Sequence, residues 1–192
     1  MRLFIGIPLA GAVARDLSAV SARLRSKDDG LRWSAPESWH VTLQFLGSTS
    51  PEQYRCIGES LRGLRSPPVP VQLESLGFFD RAGVFFAGVR LTPELTALQQ
   101  QVLAATAPCG FPAEAREYHP HITLARSKGK EGRHGIQRLR NKIQRQPAFA
   151  AMDAREFLLY ESHLGPGGAR YEVRARFPLE TSRGVSKRKI DL

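Results

Sequence analysis

The spacing of apolar residues along this chain alternates between the period of a strand and that of a helix. Leu3, Ile5 and Ile7 occupy every second position and predict a first strand over residues 2–8. Apolar residues then recur at spacings of four, three and four, which predicts a helix through Val13, Leu17, Val20 and Leu24. Two further helices are predicted to begin after Ser50 and Thr92, because each of these capping hydroxyls is followed by proline. A basic helix is predicted around Ile136, Leu139 and Ile143.

The remaining apolar runs predict strands. Residues 69–73 and 84–89 are expected to pair, and residues 157–162 and 169–177 are expected to form a closing hairpin through Gly165-Pro166-Gly167-Gly168. Two more strands carry the histidine motifs described below. We therefore predict an α+β fold with two pseudo-repeated lobes of antiparallel sheet and outer helices, which face each other across a central cleft. Residues 1–180 are expected to form this single bilobal domain, and residues 181–192 a flexible basic tail, because they lack apolar periodicity.

One four-residue pattern, His-x-Thr-Leu, occurs twice, as His40-Val41-Thr42-Leu43 and, 81 residues later, as His121-Ile122-Thr123-Leu124. In a strand, the His and Thr of each copy share one face and the aliphatic residues share the other. In the first copy, the same alternation places Gln44 on the face of His40 and Phe45 on the buried side. Recurrence in matching contexts indicates a repeated supersecondary unit. Two such strands would bring two imidazoles and two hydroxyls to one cleft.

These side chains suit acid–base chemistry on an anion. Histidine titrates near pH ~6.5, so one copy can accept a proton while the other donates one. Thr42 and Thr123 can bind the oxygens of a phosphate, and Arg126 is the best-placed cation to stabilise developing charge. In an ideal strand Arg126 points away from the face of His121, so we expect it to reach the cleft from the end of the strand.

A metal site and a covalent nucleophile are the competing interpretations. His119 and His121 have the spacing of a ligand pair, but no cluster of Asp or Glu accompanies them, so no metal is expected. Cys56 and Cys109 are far apart and neither is near a histidine motif, which argues against covalent catalysis. Two isolated cysteines also favour a reducing cytoplasm over a disulfide.

Positive charge is concentrated in two segments of the chain. The net charge is +10, and residues 126–145 contain eight Lys or Arg and one Glu, with the rest of the excess in the tail. This distribution favours a polyanionic partner such as RNA or DNA, the alternative being a solvated helix face. No apolar run approaches the ~18 residues of a membrane span, so no membrane association is expected. Nothing in the sequence demands more than a monomer.

Together these features resemble the two-histidine (2H) phosphoesterase superfamily. The strings RLFIGIPL, LRWSAPESWHVTLQFLG, YHPHITLAR and LYESHLGPGGARYEVRARFPL are similar, in matching order over residues 2–180, to the RNA 2′,3′-cyclic phosphodiesterases, also called 2′-5′ RNA ligase-like proteins. The resemblance implies hydrolysis of a 2′,3′-cyclic phosphate at an RNA end to a 2′-phosphate, without metal or cofactor, and 2′-5′ ligation by the same site. It also implies roles for five residues: His40 as proton donor, His121 as proton acceptor, and Thr42, Thr123 and Arg126 in phosphate binding.

Two alternatives stay open on sequence grounds. The chain could be an RNA-end-binding module without turnover, which the basic segment motivates, or a phosphodiesterase of a small cyclic-phosphate nucleotide. Phe78, Phe79 and Tyr118 are candidates for stacking on a base, although core packing is the ordinary role of such residues.

Overall fold

The computed structural model describes residues 1–113, 116–165 and 168–180, with residues 130 and 131 described by their backbone alone. The predicted flexible tail, residues 181–192, lies outside this range. The strands are β1 (Arg2–Pro8), β2 (Leu31–Trp33), β3 (His40–Ser48), β4 (Val69–Phe79), β5 (Val84–Val89), β6 (His121–Ser127), β7 (Ala151–Ala154), β8 (Glu156–Gly165) and β9 (Gly168–Pro178). The helices are α1 (Gly11–Leu24), α2 (Pro51–Arg62), α3 (Pro93–Thr106) and α4 (Gly129–Lys142), and short 3₁₀ turns occur at Pro36–Ser38, Asp80–Ala82 and Ala107–Cys109. No helix in the described ranges is long and apolar enough to cross a membrane.

Antiparallel pairing assembles the strands into two sheets, with the orders β3-β1-β8-β9 and β2-β6-β5-β4-β7. The predicted α+β fold with two antiparallel sheets and outer helices is therefore confirmed. The sheets do not divide the chain at one point, because β2 joins the second sheet and the closing hairpin of β8 and β9 joins the first. Each sheet therefore depends on segments that are distant in the sequence.

The helix starts follow the predicted capping chemistry. Ser50 Oγ accepts the backbone N–H of Gln53 at 3.2 Å, and Gln53 Oε1 accepts the N–H of Ser50 at 3.0 Å, so the two residues cap α2 together. Thr92 Oγ1 accepts the N–H of Leu95 at 3.1 Å at the start of α3. These contacts join residues within one turn, so sequence spacing is sufficient to predict them.

The first strand is buried on both faces. On one face Ile5 packs in the main hydrophobic core, which also contains Leu17 of α1, and both side chains are fully buried. On the other face Phe4 stacks with Tyr160 of β8, with ring centroids 4.8 Å apart, and meets the edge of Tyr171 of β9 at 5.0 Å. This second, aromatic cluster faces the space between the sheets and forms part of the candidate site.

The strict alternation predicted for the first histidine strand is wrong beyond Thr42. Strands β1 and β3 pair Gly6 with Thr42 but Ile5 with Gln44, so a bulge accommodates one extra residue of β3. The bulge turns Gln44 into the core, where it is 6% exposed, and turns Phe45 outward, where it is 61% exposed. A bulge depends on the partner strand, so the period of a single strand does not predict it.

The core supplies hydrogen-bond partners for the buried Gln44 side chain. Its Oε1 accepts the hydroxyl of Thr106 at 2.7 Å, and its Nε2 donates to the carbonyl oxygen of Phe111 at 3.4 Å. Both partners lie more than 60 residues away in the sequence. The amide therefore links the first histidine strand to the end of α3 without leaving an unpaired polar group.

The prediction that the two cysteines are unpaired is wrong. Cys56 of α2 and Cys109, in the 3₁₀ turn after α3, form a disulfide with Cα atoms 5.7 Å apart and a sequence separation of 53 residues. Helices α2 and α3 pack against each other, so the two residues meet in space although their spacing gives no sign of it. Because the cysteines are paired, they no longer support a location in the reducing cytoplasm. The cellular compartment stays a prediction.

Candidate active site

A cavity of about 730 Å³ lies between the two sheets and brings together residues of both histidine motifs. The first sheet contributes residues 42–45 of β3, and the second contributes His121 and Arg126 of β6 together with the end of β4. His40 and Thr123 project from the same faces of β3 and β6 as these lining residues. Cα atoms of the two strands approach within 8 Å of each other, so the motifs that are 81 residues apart in sequence form one site.

The two motif histidines are held in the same way. His40 Nδ1 lies 2.7 Å from the carbonyl oxygen of Ser38, and His121 Nδ1 lies 2.8 Å from the carbonyl oxygen of His119. A carbonyl oxygen only accepts hydrogen bonds, so Nδ1 carries a hydrogen in both rings. Nε2 of each ring therefore has a free lone pair when the ring is neutral, and a hydrogen to donate when the ring is charged.

His40 occupies an aromatic pocket on the inner face of the first sheet. Its ring centroid lies 4.5 Å from that of Phe4, 5.2 Å from that of Tyr171 and 5.6 Å from that of Tyr160. Burial in this pocket lowers the pKa of His40 from 6.5 to about 4, although the hydrogen bond to Ser38 opposes the change, and the charge of the second motif histidine adds to it. His40 is therefore neutral at pH 7 in the free protein.

His121 is less enclosed and lies on the cavity wall. The rings of Phe79 and Phe86 approach it at steep angles, with centroid distances of 4.9 and 5.4 Å. Partial burial lowers the pKa of His121, the carbonyl oxygen of His119 opposes this, and the charge of Arg126 lowers the pKa further. The two histidines thus differ in environment although their sequence motifs are equivalent.

A tyrosine ties the two motif strands together. The hydroxyl of Tyr118, in the segment before β6, donates to the carbonyl oxygen of Thr42 in β3 at 2.9 Å. Burial raises the pKa of Tyr118, so the hydroxyl keeps its hydrogen at any working pH. The side chains of Thr42 and Thr123 are partly buried on the same strand faces as their motif histidines. Thr42 lines the cavity, whereas Thr123 is not among its lining residues.

A second bulge, in β6, turns Arg126 towards the cleft, whereas an unbroken strand would turn it away. Strands β5 and β6 pair Phe86 with Thr123 but Val84 with Arg126, so one extra residue of β6 shifts the alternation by one position. Arg126 consequently shares the face of His121 and Thr123 and lines the cavity directly. The expectation that it reaches in from the end of the strand is wrong, because that expectation assumed an unbroken period of two.

Sequence reasoning missed Phe45, which lines the cavity, and Arg32, which lies beside Arg126 outside the cavity lining. Phe45 lies five residues after its motif histidine, as Arg126 does, and the first bulge turns it onto the cavity wall. Comparing the two motifs position by position could have identified this equivalence. Arg32 of β2 pairs directly with Arg126 and therefore projects from the same face. No local signal identifies Arg32, because β2 is three residues long and its pairing is tertiary.

The three predicted base-stacking candidates all line the cavity, but they are engaged to different degrees. Phe79 stacks on Phe86 with centroids 4.2 Å apart. Phe78 packs against Phe85 at 5.2 Å, and Arg140 lies 4.7 Å from its ring centroid. Tyr118 is held by the hydrogen bond to β3. The most exposed aromatic side chain of the cavity wall is Phe45, which was not among the predicted stacking candidates.

Among the described residues, the one group with metal-ligand geometry lies away from the motif histidines. Glu161, His163 and Glu172, on the hairpin of β8 and β9, have ligand atoms within 4.8 Å of one another. Arg174 contacts both carboxylates, at 3.6 and 3.1 Å, and competes with a cation for them. His119 lies just before β6, 3.6 Å from Glu117 in an exposed contact. The donor set at the motif histidines therefore suits proton transfer better than metal binding.

Comparisons with known proteins agree with this geometry. The sequence profile of the 2′-5′ RNA ligase superfamily matches residues 13–166, a range that contains both motifs. The RNA 2′,3′-cyclic phosphodiesterase of Thermotoga maritima is 31% identical over 178 residues, which cover 90% of this chain and 92% of the relative. The RNA 2′,3′-cyclic phosphodiesterase of Geobacillus stearothermophilus is 29% identical over 181 residues and 92% of this chain, which spans 56% of the length of that relative.

The fold is likewise similar to a solved structure. The crystal structure of E. coli LigT complexed with 3′-AMP superimposes with a TM-score of 0.77 at 27% sequence identity, covering 94% of this chain and 98% of that chain. Profile, relatives and structure thus agree with the resemblance carried by the two His-x-Thr-Leu strings. This chain belongs to the 2′-5′ RNA ligase superfamily of two-histidine phosphoesterases.

Proposed function

We propose that this protein hydrolyses the 2′,3′-cyclic phosphate at the end of an RNA to a 2′-phosphate, using the two motif histidines and no metal. Water attacks phosphorus and forms a new P–O bond, while the bond between phosphorus and the 3′-oxygen breaks. Nε2 of one histidine takes a proton from the water, and Nε2 of the other gives a proton to the 3′-oxygen. The matching hydrogen bonds from both Nδ1 atoms to carbonyl oxygens carry the proposal, because they leave both Nε2 atoms free for substrate.

The unequal burial of the histidines supports His40 as the donor and His121 as the acceptor. The imidazolium of His40 is the stronger acid, because the aromatic pocket lowers its pKa to about 4. A bound cyclic phosphate adds negative charge beside the ring and favours its protonation in the complex. His121 lies on the open wall of the cavity, where the attacking water has access to it.

The remaining site residues support binding of a nucleotide phosphate. In this proposal the hydroxyls of Thr42 and Thr123 donate to non-bridging oxygens, and the guanidinium of Arg126 stabilises the charge that builds up on them. The positions of Thr42 and Arg126 on the cavity wall, and of Thr123 on the same face as Arg126, support these roles. Phe45 offers an exposed ring for stacking on the terminal base. An RNA 5′-hydroxyl in place of water would form a 2′-5′ linkage by the same proton transfers, so we extend the proposal to ligation.

The relatives named RNA 2′,3′-cyclic phosphodiesterases, and the complex of LigT with 3′-AMP, support a ribonucleotide substrate. A small cyclic-phosphate nucleotide is the second candidate, since the cavity of about 730 Å³ would also accommodate a mononucleotide. An RNA-end-binding module without turnover is the third. The two histidines with free Nε2 atoms favour an enzyme over such a module.

Turnover in the presence of EDTA tests the proposal. Wild-type protein is expected to hydrolyse an RNA ending in a 2′,3′-cyclic phosphate, and His40→Ala and His121→Ala are each expected to abolish the reaction. His163→Ala is the matched control, because this exposed histidine pairs with Glu172 on the outer hairpin. Loss of activity in EDTA would contradict the metal-free mechanism, and wild-type binding without turnover would favour the module.

A sulfur-substituted substrate tests the assignment of donor and acceptor. When sulfur replaces the bridging 3′-oxygen, the leaving group departs without needing a proton. This substrate should restore activity to His40→Ala but not to His121→Ala, and the inverse result would exchange the two roles. Chromatographic identification of the product as a 2′-phosphate checks which P–O bond breaks, and a 3′-phosphate would contradict the proposed leaving group.

We also propose that the active form is a monomer and that it acts in the cytoplasm. The two motif strands, β3 and β6, contact each other within one chain, which supports an active monomer. Light scattering at the concentration used for kinetics tests the first point, and cell fractionation tests the second.

A further inference from the structure

The arginines of the basic segment, residues 126–145, have two kinds of environment. Some form contacts that attach helix α4 to the rest of the protein, and one lines a hollow separate from the cleft of the motif histidines. Arg138 donates to a main-chain carbonyl oxygen in the connection between α1 and β2 at 3.2 Å, and Arg140 forms an ion pair with Asp80. Both contacts attach α4 to the rest of the protein. Arg133, nearer to the start of the helix, instead lines a hollow of about 780 Å³.

This hollow adjoins the cleft that holds the motif histidines. The 3₁₀ turn Asp80–Ala82 lines both spaces. Consecutive residues of β6 are divided between them, because Arg126 lines the cleft and Ser127 lines the hollow. Arg81, within the shared turn, contacts both. A chain that leaves the cleft along β6 therefore passes Arg81 and enters the hollow.

The described side chains that line the hollow carry a net positive charge. Arg81 and Arg133 both line it and both are exposed, and among the described side chains neither forms an ion pair. Among the described lining residues Asp80 is the carboxylate, and its charge is offset by the ion pair with Arg140. Two arginines beside a neutralised carboxylate favour a ligand with phosphate groups.

The main chain holds the floor of the hollow in place. A Cβ atom at Gly83 would lie 2.1 Å from Ser127 Oγ, and one at Gly132 would lie 2.5 Å from Ser127 Cβ. Gly83 also has a φ of 59°, which side chains disfavour. These two glycines allow the turn, the end of β6 and α4 to meet closely, so Arg81 and Arg133 extend from elements that are fixed relative to each other.

We propose that this hollow binds the RNA backbone on the 5′ side of the terminal cyclic phosphate, with Arg81 and Arg133 as phosphate-binding residues. The inference rests on the proposed function of the cleft. From Thr123 to Ser127, β6 rises about 13 Å at ~3.3 Å per residue, so the hollow is within reach of the second or third nucleotide from the reacting phosphate. A cyclic mononucleotide fills only the cleft, and a longer RNA fills both sites.

Kinetics against substrate length test this subsite. The kcat/KM for RNAs with a cyclic phosphate is expected to rise with length up to several nucleotides and to fall with salt. The ratio of kcat/KM for a hexanucleotide over that for a cyclic mononucleotide should fall about tenfold in the double variant Arg81→Ala/Arg133→Ala. The slope of log kcat/KM against log salt should become less negative by about 0.7 for each lost contact. Arg145→Ala removes the same charge from the same basic segment, outside the hollow, and should leave the ratio unchanged.

Binding separates failure of the subsite from failure of the catalytic proposal. Fluorescence anisotropy with a hexanucleotide ending in a 2′-phosphate measures affinity without turnover, and the double variant should bind several-fold more weakly than Arg145→Ala. Equal affinity for the two variants, or a length effect that survives in the double variant, would overturn the subsite while hydrolysis of the cyclic mononucleotide still supports the catalytic proposal. Weaker binding together with no hydrolysis of any substrate would support the subsite and overturn the proposed chemistry.

Discussion

Replacing Tyr171 by alanine should open the aromatic pocket of His40 and raise the pKa of this histidine. The Tyr171 ring meets the His40 ring at a near right angle, with centroids 5.2 Å apart, and adds to the enclosure by Phe4 and Tyr160. Burial is the largest cause of the lowered pKa. Water admitted by the smaller side chain would hydrate the imidazolium and move the pKa towards 6.5.

The lowered pKa of His40 sets the size of the change expected in Tyr171→Ala. A pKa of about 4 in place of 6.5 means that the site disfavours the imidazolium of His40 by about 3 kcal/mol. At pH 7 only about one free molecule in a thousand then carries the charged ring. Each increase of the pKa by one multiplies this fraction by about ten. The Tyr171→Ala variant should therefore show a rise of the His40 pKa that is well above the error of a titration.

An NMR titration of the His40 ring protons measures this change directly. Leu164→Ala is the matched control, because Leu164 lies on the same hairpin and is 75% exposed, away from the aromatic pocket. The control should titrate like the wild-type protein. A folded Tyr171→Ala variant in which His40 titrates at or below the wild-type pKa would refute burial in the pocket as the cause of the depression.

The lowered pKa of His40 also predicts the pH dependence of catalysis. The pKa of each motif histidine is lowered in the free protein. Near neutrality, the fraction of enzyme with a charged donor and a neutral acceptor therefore falls tenfold for each rise of one pH unit. Because kcat/KM reports on the free enzyme, it should fall with a slope of −1 as the pH rises through 7. The fall in kcat should occur at higher pH, since bound phosphate favours the charged ring. A kcat/KM that is constant between pH 6 and 8 would contradict this assignment.

Three further changes test the scaffold around the site. Cys56→Ser removes the disulfide that spans 53 residues, and chain entropy predicts a loss of about 4 kcal/mol in the free energy of unfolding, measured by urea unfolding. Thr106→Val leaves Gln44 Oε1 without its donor at 2.7 Å in the core and should cost about 1–3 kcal/mol in the same assay. Tyr118→Phe removes the tie to Thr42 and should lower kcat/KM about fivefold, because a bond of roughly 1 kcal/mol then no longer holds the two strands together.

Each of these predictions has a result that contradicts it. A urea midpoint that is the same with and without reductant would show that the disulfide adds no stability. Thr96→Val removes a hydroxyl from the same helix, where it donates to the carbonyl oxygen of Thr92, and a loss as large as that of Thr106→Val would argue against a special cost at Gln44. Unchanged kinetics in Tyr118→Phe would show that the hydrogen bond from Tyr118 to Thr42 does not position the motif strands.

Local patterns predicted most elements of the fold, though not the short strands β2 and β7, because each pattern is read over a few neighbouring residues. The cap of α2 joins Ser50 to Gln53, and the alternation of Leu3, Ile5 and Ile7 marks the face of β1 that packs in the main hydrophobic core. The repeated motif identified the two histidine strands for the same reason, since His and Thr two positions apart share a face. These predictions needed no knowledge of the partner strands.

Predictions that depended on partner strands failed. The bulges of β3 and β6 arise from pairing with β1 and β5, and they reverse the expected directions of Gln44, Phe45 and Arg126. Similarly, the position of Arg32 depends on the pairing of β2 with β6, which joins segments about 95 residues apart. A period of two describes a strand by itself and contains no information about its register.

By itself the sequence determined most of the segments that form strands and helices, although not the short strands β2 and β7, and that two strands each present a His-x-Thr face. Those properties follow from neighbours within a few positions. Only the tertiary structure decided that Arg126 lines the cleft, that Cys56 meets Cys109, and that the two histidines are unequal. Strand register, sulfur contact and burial each depend on residues that are distant in the chain, and so the low pKa of His40 arises from an aromatic pocket that its own motif does not contain.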